Sequence, residues 1–167
     1  PEGGAEGMIL TSGGRFAGYG FYLLKGKPVF LWNMLDLQRI KWEGPDVLVP
    51  GDHTIEFDFK YDGLGVGTLA YNSMSGLGRS GTGTLKVDGK VVARKKMEKT
   101  IPMLLQWDES FDVGADTGSP VSDEDYQTPF RFTGNIQKLT LTIDRPKLSP
   151  EDIEKLQAAM QSNSAGE

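Results

Sequence analysis

The stretch Gly81–Ala93, GTGTLKVDGKVVA, decides the fold. Two alternating runs meet at Asp88-Gly89. Asp-Gly between alternating apolar residues is the strongest short-range hairpin signal, because both central positions of a type I′ turn need φ > 0. Residues Phe21–Trp32, FYLLKGKPVFLW, spell a second hairpin of the same style around Lys25-Gly26. Between them Thr54–Lys60 alternates strictly. Ile55, Phe57 and Phe59 belong to one face; Thr54, Glu56, Asp58 and Lys60 belong to the other. Hairpins and period-two strands in this order predict an all-β protein. Its expected form is an antiparallel β-sandwich closed by a short C-terminal α-helix.

Working outward, Met8–Leu10 reads as a first strand in a Gly-rich opening, and Leu37–Trp42 reads as a strand ended by Gly44-Pro45. In the first hairpin Phe21 and Leu23 fall on one face, with Tyr19, Tyr22 and Leu24 near the other. Pro50-Gly51 marks a turn. Tyr61–Thr82 is rich in Gly and Ser and reads as a long loop with a short strand near Thr68–Tyr71. Ile101–Trp107 is a further strand. Phe130–Phe132 and Ile136–Ile143 are the last strands, with Leu139, Leu141 and Ile143 facing in. Ser149-Pro150-Glu151-Asp152 then announces a helix: Ser at the N-cap, Pro at N1, acids in the first turn. Ile153, Leu156, Gln157 and Met160 give it a narrow stripe that suits a surface or a neighbour. The expected organisation is a sandwich over 1–147 with a helix and tail over 148–167.

The 167 residues suffice for one domain with a real core. Cysteine is absent, which excludes disulfides, zinc-thiolate sites and cysteine nucleophiles. No apolar run reaches the roughly 18 residues of a membrane span. The opening Pro1-Glu2-Gly3-Gly4 suggests a trimmed chain, a mature form or a fragment of something longer. The net charge of −5 is unevenly spread. Asp108, Glu109, Asp112, Asp116, Asp123, Glu124 and Asp125 form an acidic segment without Lys or Arg. A basic face for nucleic acid is not evident, and neither nucleic acid nor a membrane is an expected partner.

Five constellations are candidates for chemistry. Glu56 and Asp58 share one face of a strand, with Lys60 in register and Asp62 beyond. Paired carboxylates are how retaining glycan hydrolases arrange nucleophile and acid; the bland reading is a solvated face with an Asp–Lys cross-pair. Asp108, Asp112 and Asp116 offer oxygen ligands for calcium on a loop, although their spacing is not that of an EF-hand, and a solvated acidic loop is the simpler reading. His53, the single histidine, sits in a turn and has no Gly-x-Ser-x-Gly nucleophile elbow to serve. Gly76–Gly81 opens no helix and is not a phosphate cradle. Among the aromatics, Trp32 and Trp42 suit the core, while Tyr61, Tyr71, Trp107 and Tyr126 flank loops and are candidates for stacking on sugar rings.

Several of these words resemble the C-terminal region of large bacterial arylsulfatases. They are Gly13–Phe30 (GGRFAGYGFYLLKGKPVF), Trp42–Pro45, Pro50–Phe59 (PGDHTIEFDF), Gly81–Val92, Phe111–Val121 (FDVGADTGSPV) and Phe130–Ile136. The resemblance runs over nearly the whole chain. At the level of fold the same words are similar to laminin-G and concanavalin A-like jelly rolls. The family's chemistry uses a formylglycine made from Cys or Ser in Cys/Ser-x-Pro-x-Arg, together with calcium. This chain has no cysteine, and Ser119-Pro120 is not that motif, so no catalytic residue carries over. The resemblance implies a non-catalytic accessory sandwich, with a sulfatase catalytic domain and carbohydrate as its expected partners, in a periplasmic or secreted enzyme. The competing expectations are a small glycan hydrolase using Glu56 and Asp58, and a stand-alone carbohydrate-binding module.

Overall fold

A computed structural model describes residues 1–62, 80–100, 109–143 and 149–164. Among the described residues the chain is all-β with one helix, and its two sheets pack as a sandwich. The larger sheet contains β1 (Gly7–Gly13), β2 (Ala17–Leu24), β3 (Lys27–Met34) and β4 (Gln38–Glu43). To these it adds β8 (Phe111–Val113), β9 (Ala115–Asp116) and β10 (Phe130–Arg131). Its order is β4-β3-β2-β1-β10-β9, with β8 also paired to β1. The smaller sheet is the meander β5 (Ile55–Tyr61), β6 (Gly81–Val87) and β7 (Lys90–Met97).

Both expected hairpins form with the expected turn. Lys25 and Gly26 have φ of 50° and 77°, Asp88 and Gly89 of 50° and 78°. This is the left-handed pair that a two-residue type I′ loop requires. Once the turns are set, pairing fixes the faces. Phe21 stands opposite Phe30, and Phe30 opposite Trp42. Those rings face the smaller sheet, where Ile55, Phe57, Phe59 and Leu85 complete the core between the sheets. Phe57 stacks on Phe30 and meets Trp42 edge-on at 5.1 Å. The Trp42 indole donates its Nε1–H to the Gly83 carbonyl at 2.9 Å. Gly83 is glycine for a reason of space, since a Cβ there would lie 2.6 Å from the Trp42 ring.

Three expectations need correction. Tyr19 lies opposite Trp32 and packs in the inter-sheet core with Phe21, not with Tyr22; strict alternation places 19 and 21 together and 22 on the reverse. Residues 136–143 form no strand, and Leu139, Leu141 and Ile143 are exposed, Ile143 by 90%. Alternation alone does not bury a face; a facing layer is needed, and none lies over these side chains among the described residues. The acidic segment is also more ordered than a solvated loop, because it supplies β8 and β9 and then crosses the outer face of the larger sheet.

That crossing buries the second face of the larger sheet. Met8, Tyr22, Val29 and Leu31 point away from the smaller sheet and are covered by Val121 and Tyr126. Gly20 lets the strap lie close, as a Cβ there would meet Val121 at 2.8 Å. The helix, α1 (Pro150–Ser164), begins where the Ser-Pro-Glu-Asp signal places it. The Ile153 amide bonds the Ser149 carbonyl, and Lys155 pairs with Glu151 one turn back. The expected strands at 68–71 and 101–107 lie outside the described residues.

Candidate functional site

The outward face of β5 is where the paired carboxylates stand. Glu56 and Asp58 are both exposed on that face, as the alternation requires. Register sets their neighbours: Lys86 lies opposite Glu56, and Thr84 opposite Asp58. Lys86 donates to Glu56 Oε1 at 2.6 Å, which holds the ammonium above its ordinary range, the Glu56 hydrogen bond being the main cause. No carboxylate stands directly across from either acid on β6. A glycosidase needs two carboxyls flanking one bond, one of them kept protonated by burial. Glu56 and Asp58 instead sit on an open sheet surface beside a lysine. Asp62, just past β5, accepts from the Ser80 hydroxyl at 3.0 Å and lies 3.9 Å from Lys96.

His53 is more engaged than a turn histidine need be. Its Nδ1 lies 2.8 Å from the Asp88 carboxylate and its Nε2 lies 2.7 Å from the Val49 carbonyl. Both partners are acceptors only, so both are satisfied only by the imidazolium, which carries two N–H groups. The Asp88 hydrogen bond, then the Val49 carbonyl, raises the His53 pKa above 6.5. The reciprocal bond from His53, then the Thr54 amide, lowers that of Asp88. Asp88 therefore does two jobs. It adopts the left-handed turn conformation, and its carboxylate ties that turn to the Thr54 amide at 2.8 Å and to the 49–53 loop. The loop borders a cavity of about 220 Å³ whose walls include Leu23, Val49, Asp52, His53 and Gln137. A group whose folded pKa is raised gives its full stabilisation below the unfolded value of about 6.5 and loses it as pH rises through the folded value. We expect histidine NMR to titrate above 6.5, and Asp88→Asn to return the midpoint toward the ordinary value. A midpoint at or below 6.5 in the unsubstituted chain would refute the double hydrogen bond.

The other candidates separate cleanly. Tyr126 is a core residue: it is only 6% exposed, its ring stacks on Phe130 at 4.5 Å, and it offers no open face to a sugar. Its hydroxyl donates to Asp116 Oδ2 at 2.5 Å and accepts from the Val121 amide at 3.0 Å. Burial, reinforced by Asp116, pushes the phenol far above its ordinary value, so it stays neutral. Asp116 is 1% exposed, and burial raises its pKa. With its oxygens taken by Tyr126 and the Gly118 amide, it presents no free ligand face. Asp112 accepts from the Ser110 hydroxyl. Among the described residues no group of three or more His, Asp or Glu is placed to hold a metal ion. Tyr61 is part-exposed at the end of β5, against Phe59. Tyr71, Trp107 and Asp108 lie outside the described residues.

Sequence reasoning missed the role of the acidic segment. Asp125 accepts hydrogen bonds from the Tyr22 hydroxyl and from Lys41 Nζ, Asp123 pairs with Arg15 at 2.7 Å, and Glu124 lies 3.7 Å from Arg39. The signal was present in the outward bases of β4, Arg39 and Lys41, which needed counter-ions, and in the buried Pro120-Val121 flank. No protein-family model, curated protein or solved structure matches the chain.

Proposed function

We propose that this chain is a non-catalytic accessory β-sandwich of an arylsulfatase-like sulfuric ester hydrolase, one that packs on the catalytic domain and assists in binding sulfated or glycosidic substrate. The observation that carries the reading is the state of the paired carboxylates. Glu56 is tied to Lys86 on an open face, and the residues opposite the pair are Lys86 and Thr84. This is a cross-strand ion pair on a solvent-exposed face. The sequence words shared with the sulfatase C-terminal region support the assignment of the parent. The missing Cys/Ser-x-Pro-x-Arg motif supports the division of labour. All-β sandwiches host many unrelated functions, so the fold adds nothing to the choice of parent.

The test is turnover by the purified chain on an aryl sulfate and on β-glucans, with Glu56→Gln alongside. We expect no turnover from either protein and an unchanged unfolding midpoint within about 1 kcal/mol. Hydrolysis of an aryl sulfate would overturn the reading. So would glucan hydrolysis that Glu56→Gln abolishes, which would make the chain an enzyme in its own right.

A further inference from the structure

We propose that the outer face of the smaller sheet is a binding surface for a sulfated polysaccharide, an inference that rests on the accessory-module reading. Six of the chain's 18 bases lie between Lys86 and Lys99, against two acids, in a protein whose net charge is −5. Those two acids have partners, Asp88 in His53 and Glu98 in Lys96 at 3.7 Å, and Lys96 also lies 3.9 Å from Asp62; β5 adds Glu56, bonded to Lys86, and Asp58 to the same face. Register then assembles the face in three rungs. Glu56, Lys86 and Val91 form one, Asp58, Thr84 and Arg94 the next, and Lys60, Thr82 and Lys96 the third. Arg94 and Lys96 are exposed, and Arg94 makes no ion pair among the described residues. Lys90, Lys95 and Lys99 are also exposed on this strand and its end, but register sets Lys90 with Val87 and Lys95 with Gly83, on the reverse of the face that carries Arg94 and Lys96.

The chemistry of this face selects its ligand. Alternate residues on a strand are about 7 Å apart and neighbouring strands about 4.8 Å apart, so the cations form a spaced array and not a single anion pocket. An array suits a polymer with a repeating anion. Arginine adds planar, bidentate recognition of tetrahedral oxyanions. The central strand contributes Thr82, a half-buried hydroxyl that can exchange hydrogen bonds with sugar hydroxyls, while Thr84 beside it is buried. The outward positions of the three rungs carry no aromatic on which nucleic-acid bases would stack. They carry Val91 as their single apolar residue, too little to insert into a lipid interface.

Titration of the full chain with dextran sulfate and with neutral dextran, at low and at physiological salt, tests this. Dextran sulfate is expected to bind in a salt-dependent way and dextran not to bind. The double charge reversal R94E/K96E should weaken dextran sulfate binding by at least about tenfold, since each cation contacting a polyanion contributes through counter-ion release. Lys25→Glu, on the other sheet, should leave it unchanged. The unfolding midpoint of R94E/K96E, measured alongside, shows that the variant is folded. Equal binding by R94E/K96E and the unsubstituted chain overturns the proposal, as does equal binding of neutral dextran. Tighter binding of oligo-dT, or of phosphatidylserine vesicles, with the same dependence on Arg94 and Lys96 also overturns it and assigns the face to that polyanion. Sulfated-glycan binding by a chain whose gene encodes no sulfatase nucleophile would leave this inference standing and remove the accessory-module reading.

Discussion

Trp42→Ala is expected to remove about 3–5 kcal/mol of stability, the range for deleting a large aromatic from a packed core. A domain of this size has a total of about 5–15 kcal/mol, so the variant will be largely unfolded well below the denaturant midpoint of the parent. The cost is high because Trp42 couples the two sheets through every kind of contact available to it. It is fully buried, it meets Phe30 and Phe57 edge-on, and its indole N–H reaches the Gly83 carbonyl on the opposite sheet. Gly83 leaves no side chain to collapse into the vacated space, so the cavity persists. Trp42→Phe keeps most of the ring contact and loses the hydrogen bond, at about 1–2 kcal/mol. Urea unfolding followed by far-UV circular dichroism measures both. A loss under about 1 kcal/mol for the alanine variant would mean that the sheets do not pack through this residue.

Asp125→Ala is the second large effect, at about 2–3 kcal/mol or roughly 5–10 °C in melting temperature. Asp125 anchors the strap over the outer face of the larger sheet. Its side chain is 7% exposed, and it accepts from both Tyr22 and Lys41. Without it, a buried phenol loses its acceptor. Burial and Asp125 together hold that phenol neutral far above its ordinary range, so it cannot ionise to escape. Lys41, partly open to water, is the lesser part of the loss. Asp125→Asn keeps an acceptor for the Tyr22 hydroxyl and is expected to recover part of the stability. The surface pair Lys27–Glu43, 4.0 Å apart, is the control, and Glu43→Ala should cost less than about 1 kcal/mol. Equal costs for Asp125→Ala and Glu43→Ala would show that the strap is not anchored as described.

These two residues also mark how far the sequence can be read. Trp42 was legible because local rules act on it directly: the Lys25-Gly26 turn sets the register of β2 and β3, and alternation then aims Phe30 and Trp42 at the same face. The hairpin at Asp88-Gly89 was legible for the same reason. Asp125 was not, because its environment is made by residues more than 80 positions away. A run of acids reads as solvated until Arg15, Arg39 and Lys41 are placed beneath it. Tyr126 misled for the same reason, since an aromatic among acids looks like an exposed loop residue. Leu139, Leu141 and Ile143 misled in the opposite direction, since a period-two pattern reports a strand-like sequence and not the layer that would cover it. For the site, sequence located the carboxylate face of β5, but the Asp–Lys cross-pair it suggested does not form: register sets Lys86 opposite Glu56 and Thr84 opposite Asp58. The basic run Arg94-Lys95-Lys96 stands in the sequence, but only strand register sets Arg94 and Lys96 on one face with Lys60 and Lys86.

The most direct test of the accessory-domain account is to read the gene in frame on the 5′ side of the Pro1 codon. The account predicts a Cys/Ser-x-Pro-x-Arg motif upstream in the same reading frame, joined to this sandwich without a stop. An initiation codon immediately before Pro1, with no such motif in the frame, would contradict it.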